Sequence, residues 1–367
     1  MAGSSPEPAG SPPRQRSGSA DTGYFQDFAL PGAARTDGVL LPEGLSWKDI
    51  TLRNVIGVLP GEGGEGASCV VIGAHYDHLG VGPQGPFTGA DDNASGVAIL
   101  LELAGRLRLE GPFRNHLVFA AFSGEELGLL GSRHYLGFPA CPIDRTLAMI
   151  NLDTVGRMQD DKLYIFGQGS AEEFTGLLKG INLGADLDLV TPEAGPFASD
   201  QVPFHEKGIP VLHLFTGPNA DYHRAGDTAD KLSYNGMSKV LDFAFELAVW
   251  LGDRPEKLHF VPPGAMSAKP AVATAGGPAR SVSLGTIPDF GRESGGVLLT
   301  GTMPGSPAEG AGLQAGDIIV AIDDTAISNL ADLSAALKGH QPGDSVTVSA
   351  RRGDGEIRRR VALVARR

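Results

Sequence analysis

The apolar positions of this chain change period as the sequence advances, and the changes mark out its elements. Runs with strand character occur at Thr51–Leu59 (TLRNVIGVL), Cys69–His75 (CVVIGAH), 115–122 (NHLVFAAF), Thr146–Leu152 (TLAMINL), Lys162–Phe166, 187–191 and 209–215. Between them, apolar residues recur at helical spacing over 95–109 (SGVAILLELAGRLRL), from just after 126 to 135, over 171–178 and over 238–251. Strands alternating with helices of this length predict a doubly wound α/β domain with a mostly parallel sheet. Cys69–His75 is nearly continuous in apolar residues, which places it at the sheet centre.

The periodicity fades in three places. The opening MAGSSPEPAGSPPRQRSGSA is rich in Gly, Pro and Ser and reads as a disordered leader, with ordered structure starting between about residues 24 and 47. The stretch 61–66, GEGGEG, matches the dinucleotide pattern GxGxxG, but a strand and not a helix follows it, and Glu62 and Glu65 repel phosphate. It is read as a flexible hairpin loop. From 259 to 280 the chain becomes Pro/Ala/Gly-rich, as a linker does. Short strands and turns then resume, with GVLLTGTM, a helix around 330–337 and a final strand pair containing SVTVSARR, whose Arg-rich end reads as a solvated edge. The expected division is 1–45 weakly ordered, 46–256 an α/β domain, 257–280 a linker and 281–367 a small β-rich domain.

Composition narrows the function classes. Hydrophobic residues at 41% and charged residues at 20% suit a globular fold, and no run approaches the ~20 apolar residues that cross a bilayer. A net charge of -13 argues against a nucleic-acid partner, which calls for a basic face. Two cysteines, Cys69 and Cys141, exclude a disulfide scaffold and a Cys-rich zinc site; a single bridge between them stays open, and Cys69 is read first as a small core residue. The N-terminus lacks the apolar core of a signal peptide, so the chain as written carries no export signal, and its compartment is left open.

The acidic and histidine residues are not scattered. His75 and Asp77, Glu125 and Glu126, Asp153, and Tyr222 and His223 all lie at or just after the ends of expected strands, the rim where α/β sheets bind ligands. Asp91 and Asp92 follow in the loop after His75. In an extended strand residues i and i+2 face the same way, so Asp77 can orient the His75 ring or share a cation with it. A two-metal hydrolase site needs a bridging carboxylate, further His and carboxylate ligands and a base, and every role can be filled here. Adjacent acids such as Glu125 and Glu126 are tolerable where a cation offsets their repulsion.

Taken in order, GAHYDHLG, GADDNASG, FSGEELGLLGS, INLDTVG and YHRAGDTADKL resemble the co-catalytic di-zinc aminopeptidases of the bacterial leucyl-aminopeptidase type, over about 54–253. The resemblance implies a phosphorylase/hydrolase-like fold and two Zn2+ ions. It implies His75 and Asp153 on one zinc, Glu126 and His223 on the other, and Asp92 between them, because the family's bridge directly precedes the Asn. Asp77 matches the carboxylate behind the histidine and Glu125 the general base, which takes a proton from the attacking water and returns it to the leaving amine. Tyr222 matches a position that bonds the developing oxyanion in some relatives. The implied substrates are peptides with a free N-terminus, and relatives are often exported. Gln201 departs from the family, where many members carry His. Asp91 receives no role. The other histidines are read as core or surface residues, except His78, which follows the HxD pair closely enough to line the cleft and is still placed outside the ligand set.

The C-terminal domain resembles a bacterial PDZ domain, through SLGTIPDF and GSPAEGAGLQAGDIIVAID. That resemblance implies a peptide-binding loop at Leu284, Gly285, Thr286 and Ile287, to which a peptide adds as a strand. A PDZ fold kept only for packing is the alternative there. For the whole chain the alternatives are a catalytically inactive peptidase fold used for binding, or a related zinc amidohydrolase such as a glutaminyl cyclase or carboxypeptidase. The complete ligand set with Glu125 speaks against the first.

Overall fold

The computed structural model describes residues 24–30, 46, 50–82, 85–192, 199–262, 282–288, 295–303, 305–353 and 355–365. Its larger sheet is built from β1 (Tyr24–Ala29), β2 (Thr51–Leu59), β3 (Cys69–His75), β6 (His116–Phe122), β7 (Thr146–Leu152), β8 (Lys162–Phe166), β9 (Asp188–Val190) and β10 (Val211–Phe215). A two-residue ribbon, β4 (Val81–Gly82) with β5 (Gly85–Pro86), stands between β3 and β6 in sequence. The helices are α1 (Gly96–Glu110), α2 (Leu130–Gly137), α3 (Phe174–Ala185), α4 (Gln201–Glu206) and α5 (Tyr234–Asp253).

The strand order is β1-β2-β6-β3-β7-β10-β8-β9. All seven residues of β3 are buried and it pairs in parallel with β6 and β7, as its unbroken apolar run requires. β7 and β10 are also parallel, so β6, β3, β7 and β10 run one way and their carboxyl ends share one rim. The sheet as a whole is mixed, because β1 with β2, β2 with β6 and β8 with β10 pair antiparallel, while β8 and β9 are parallel. The expected parallel arrangement holds for the four central strands and for β8 with β9, and gives way to antiparallel pairing at β1, β2 and between β10 and β8: period-2 and continuous patterns show that a segment is a strand but not which way it runs.

Alternate side chains of the central strands feed two cores. Val70, Ile72 and Ala74 pack with α1, α3 and α5, whereas Val71 joins Phe122 from β6, Tyr135 from α2 and Phe204 from α4 on the opposite face. Along α5 the buried Val240, Phe243, Ala244, Leu247, Ala248 and Leu251 make one stripe, and Ser233 Oγ caps the helix by accepting the Gly236 N–H. Truncating Phe243 to Ala would cost about 3–5 kcal/mol.

Several expectations move. The GEGGEG segment is no hairpin, because β2 pairs with β6 and not with β3; its backbone bonds to Phe113 and Arg114 at the entry to β6. Residues expected to be weakly ordered include β1, which pairs along its length with β2. Cys69 and Cys141 form a disulfide in place of a lone core cysteine. Leu258 is buried in the main core and the Val261 N–H bonds Ser170, so the packed chain runs past the expected start of the linker. The rest of that linker, 263–280, and the expected leader at 1–23 lie outside the described residues.

The second unit has its own core. It comprises β11 (Val282–Ser283), β12 (Thr286–Pro288), β13 (Val297–Thr302), α6 (Pro307–Gly310), β14 (Ile318–Ile322), β15 (Thr325–Ala326), α7 (Leu330–Leu337), β16 (Ser345–Arg352), β17 (Gly355–Ala362) and β18 (Val364–Ala365). Its antiparallel sheet runs β12-β13-β14-β16-β17, with β15 on β14, and β11 pairs separately with β18. The expected Arg-rich edge is β17. Asp317, whose side chain is sealed from solvent, receives Arg352 through two hydrogen bonds of 2.6 and 2.7 Å.

Candidate active site

His75 ends β3, Asp153 follows β7, Glu125 and Glu126 follow β6, and Tyr222 and His223 lie in the loop after β10. Four strands running one way therefore deliver these side chains to a common rim. The fifth contribution, Asp92, comes from a tight turn at Ala90–Ser95 that leads into α1.

The geometry centres on Asp92. Its Oδ1 lies 3.3 Å from His75 Nε2 and its Oδ2 3.1 Å from His223 Nε2. Asp153 Oδ1 is 3.3 Å from the same His75 nitrogen, and Glu126 Oε2 is 3.2 Å from His223 Nε2. The expected ligand residues thus gather into two sets that share one carboxylate. The Tyr222 ring stacks on His223, with centroids 4.0 Å apart.

Asp77 stands beside His75, but in two ways. Its backbone carbonyl is 3.1 Å from His75 Nδ1, nearer than its carboxylate at 3.8 Å. The carboxylate instead accepts the backbone N–H groups of Glu125, at 3.1 Å, and Glu126, at 3.3 Å. One side chain thereby fixes the turn that carries both glutamates.

Protonation shows what the site demands. Burial alone would lower His75, yet Asp153 and Asp92 outweigh it and raise the imidazole well above its ordinary value. His223 follows the same pattern: burial opposes, but Asp92 and Glu126 carry it up to about 10. Burial also opposes the lowering of Glu126, which the His223 and His78 contacts bring to about 2. Asp153 is held well below the carboxylate range by His75, again against burial. Glu125 goes the other way: burial first, reinforced by Asp153 and Asp200 and opposed by His75, raises it well above the ordinary value. Burial and the surrounding carboxylates raise the Tyr222 phenol too. The imidazole protons are supplying positive charge at the nitrogens a cation would take, and cation binding would displace them.

The donor set fits metal ions. Among the described residues, His75, Asp92 and Asp153 present ligand atoms close enough to share one ion, and so do His78, Asp92 and Glu126. Asp92 Oδ2 is buried yet accepts no aligned hydrogen bond, despite the nearby His223 nitrogen. An oxygen so placed is costly unless a cation or donor serves it. His78, expected outside the ligand set, lies with Nδ1 2.9 Å from Glu126 Oε1.

Several residues matter here that receive no role from sequence alone. Asn93 donates to the carbonyls of His75 and Leu152 and accepts from the N–H groups of Gly96 and Thr154, joining the ends of β3 and β7 to the start of α1. An Asn three residues before a helical N–H is a capping signal, and its position beside the acidic pair hid it. Asp91 and Asp227 are each 1% exposed and bond across loops. Asp200 is fully buried and is pushed up to about 7 by that burial, against the effects of His75 and the Ser132 hydroxyl. Gln201 accepts from Asn151 and lies 3.2 Å from His213 Nδ1, beneath the rim and not among the ligand residues.

The remaining histidines sit elsewhere. His116 accepts the Gly61 N–H, His134 stacks on Phe28, His205 packs near Phe260, His259 lies against Glu173, and His340 lies against Asp344. In the second unit, Leu284 and Ile287 are buried, Gly285 holds φ +75, and a Cβ on it would meet Ser306 Cβ at 2.2 Å, so only glycine suits that loop. Thr286 and Ile287 begin β12, which lies at the end of its sheet.

Comparison with known proteins gives the chain's relationships. Residues 299–352 match the model of a PDZ domain. The chain is 31% identical over 219 residues to aminopeptidase YwaD of Bacillus subtilis, covering 56% of this chain and 46% of that protein. It is 33% identical over 172 residues to leupeptin-inactivating enzyme 1 of Streptomyces exfoliatus, covering 46% of this chain and 37% of the other. The structure of a zinc aminopeptidase from Bacillus subtilis superposes with a TM-score of 0.50 at 28% identity, over 57% of this chain and 52% of that one. The chain spans about half the length, or less, of these relatives. Residues 54–248, which carry every one of the rim side chains, match the model of peptidase family M28, and the chain belongs to that family.

Proposed function

We propose that this chain is a zinc-dependent aminopeptidase that removes N-terminal residues from peptides using two zinc ions, and that its PDZ domain binds a peptide or partner segment. The observation that carries the reading is the division of Asp92 between His75 and His223, each of which has its own second carboxylate. In this reading His75 and Asp153 hold one zinc, Glu126 and His223 the other, and Asp92 both. The names of relatives such as aminopeptidase YwaD and a zinc aminopeptidase from Bacillus subtilis support it.

Zinc, when bound, supplies Lewis acidity and a water of lowered pKa. The chain's own groups do the rest. Glu125 is half-buried beside the set, and a carboxylate with a raised pKa both accepts a proton from water and returns it to a leaving amine near neutral pH. Asp77 fixes the Glu125 backbone, so the base has a defined direction. Tyr222, whose phenol stays protonated, serves in this reading as a donor to a developing oxyanion. The acidic rim meets the substrate's α-ammonium group.

The reading extends to organisation. The peptidase part runs as a doubly wound unit from β1 to about residue 262, a linker follows up to about 280, and the PDZ domain fills 281–367, with Leu284, Gly285, Thr286 and Ile287 forming its carboxylate-binding loop. The deciding experiment measures bound zinc and hydrolysis of aminoacyl anilides, with Glu125→Ala beside the unaltered chain. Two zinc ions per chain, with activity lost and zinc kept in the variant, support the proposal. Metal-free protein, or activity confined to N-terminally blocked substrates, would overturn it.

A further inference from the structure

Behind the rim, two acids grip each other's loops. Asp227 comes four residues after His223 and is 1% exposed. Its Oδ2 accepts the N–H groups of Asp91, at 2.9 Å, and Asp92, at 3.0 Å. Its Oδ1 lies 3.1 Å from the Asp91 nitrogen and accepts Arg157 Nη2 at 3.1 Å. Its carbonyl accepts the N–H of Ala90 and the hydroxyl of Thr88. Arg157 continues to Asp221 at 3.0 Å, in the loop that presents His223.

Asp91 reaches in the opposite sense. Its Oδ1 accepts the Gly156 N–H at 2.6 Å, in the loop after Asp153, and its Oδ2 accepts Asn219 Nδ2 at 2.9 Å, in the loop before His223. The approach to Gly156 leaves no room for a side chain: a Cβ there would lie 2.9 Å from Asp91 Oδ1 and 2.6 Å from Leu232 Cδ2. A buried carboxylate with donors on both oxygens holds its partners in place, and removing one leaves the others unsatisfied.

We propose that Asp91 and Asp227 form a reciprocal clasp that sets the position of Asp92 relative to Asp153 and His223, and so fixes the spacing of the two metal positions. Both are positioning residues, with no contact to substrate. The proposal rests on the two-zinc reading and adds to it what holds the shared carboxylate in register. Asp227→Asn preserves volume but puts an NH2 group against either the Asp91 and Asp92 amides or Arg157, so one side of the clasp must break.

The test uses the full chain. Zinc is titrated into metal-free protein against a competing chromophoric chelator, and exchange of the Asp91 and Asp92 amide protons is followed by NMR. The variants are D227N, the milder N219A, and E173Q as a control that loosens a carboxylate pair with Arg254 away from the rim. Zinc affinity is expected to fall about 10- to 100-fold in D227N, as for groups that orient metal ligands, about three- to tenfold in N219A for one lost hydrogen bond, and not at all in E173Q. With saturating zinc, kcat falls and KM holds. Unchanged zinc affinity in folded D227N, or in N219A if D227N does not fold, overturns the clasp. If the unaltered chain takes up no zinc, the two-zinc reading fails on its own. The amide exchange then decides the clasp: faster exchange in D227N, or in N219A if D227N does not fold, supports it and unchanged exchange overturns it.

Discussion

The Asp77 carboxylate accepts the backbone N–H of Glu125 at 3.1 Å, so the residue behind the first histidine also holds the base. Asp77→Asn should therefore do more than weaken metal binding. One amide orientation turns an NH2 group toward a backbone N–H, loosening the turn. We expect zinc affinity to fall about 10- to 100-fold, with kcat still depressed at saturating zinc. Glu125→Gln should lower kcat roughly 100- to 10,000-fold with zinc content unchanged. A D77N enzyme with full kcat once reloaded would show that Asp77 acts only on His75.

Glu126 stands between two histidines, His223 at 3.2 Å and His78 at 2.9 Å. The assignment of His223 as ligand and His78 as a donor that orients Glu126 makes a direct comparison possible. His223→Ala should lose one zinc per chain. His78→Ala should keep both, bound about 10- to 100-fold more weakly. Metal analysis at matched free zinc checks this, and the opposite ranking would exchange the two roles.

The strand ends and the residues on them were legible in the sequence because His75, Asp153 and the Glu125–Glu126 pair end or closely follow an apolar run. The order of five short motifs then supplied the pairing that distance along the chain hides. What the sequence withheld is directional. The pairing of β2 with β6 rests on contacts between remote segments. The same holds for Asp227, which looks like an ordinary acid in a loop until its partners at Asp91 and Asp92 are seen. Cys69 read as core because it is core, 0% exposed, and nothing local announces that Cys141 lies against it.

In the PDZ domain, Arg352 holds the buried Asp317 carboxylate below its ordinary value, against the effect of burial. The free carboxylate in an unfolded chain titrates near 3.9. A depressed folded value contributes stability above that pH, and the contribution is lost as pH falls through the folded value. The thermal midpoint of the domain, followed in the full chain by calorimetry from about pH 5 to about pH 2, should drop less steeply in Asp317→Asn than in the unaltered protein. Parallel curves would show that the pair does not govern the acid limb.

The Cys69–Cys141 disulfide closes a loop with a sequence separation of 72 residues. Constraining a loop of that length in the unfolded chain stabilises the fold by about 4 kcal/mol on the chain-entropy account. The Cys69→Ala, Cys141→Ala double variant should shift the urea midpoint downward by a corresponding amount while leaving zinc content intact. An unchanged midpoint would mean that the bond adds no stability to a core already packed around both residues.

That bond also has a topological consequence. His75, Asp77, Asp92, Glu125 and Glu126 all lie inside the covalent ring it closes. A single backbone cut anywhere within the ring would leave both pieces covalently joined through the disulfide. Only a cut together with a reductant would leave them held by packing and strand pairing alone.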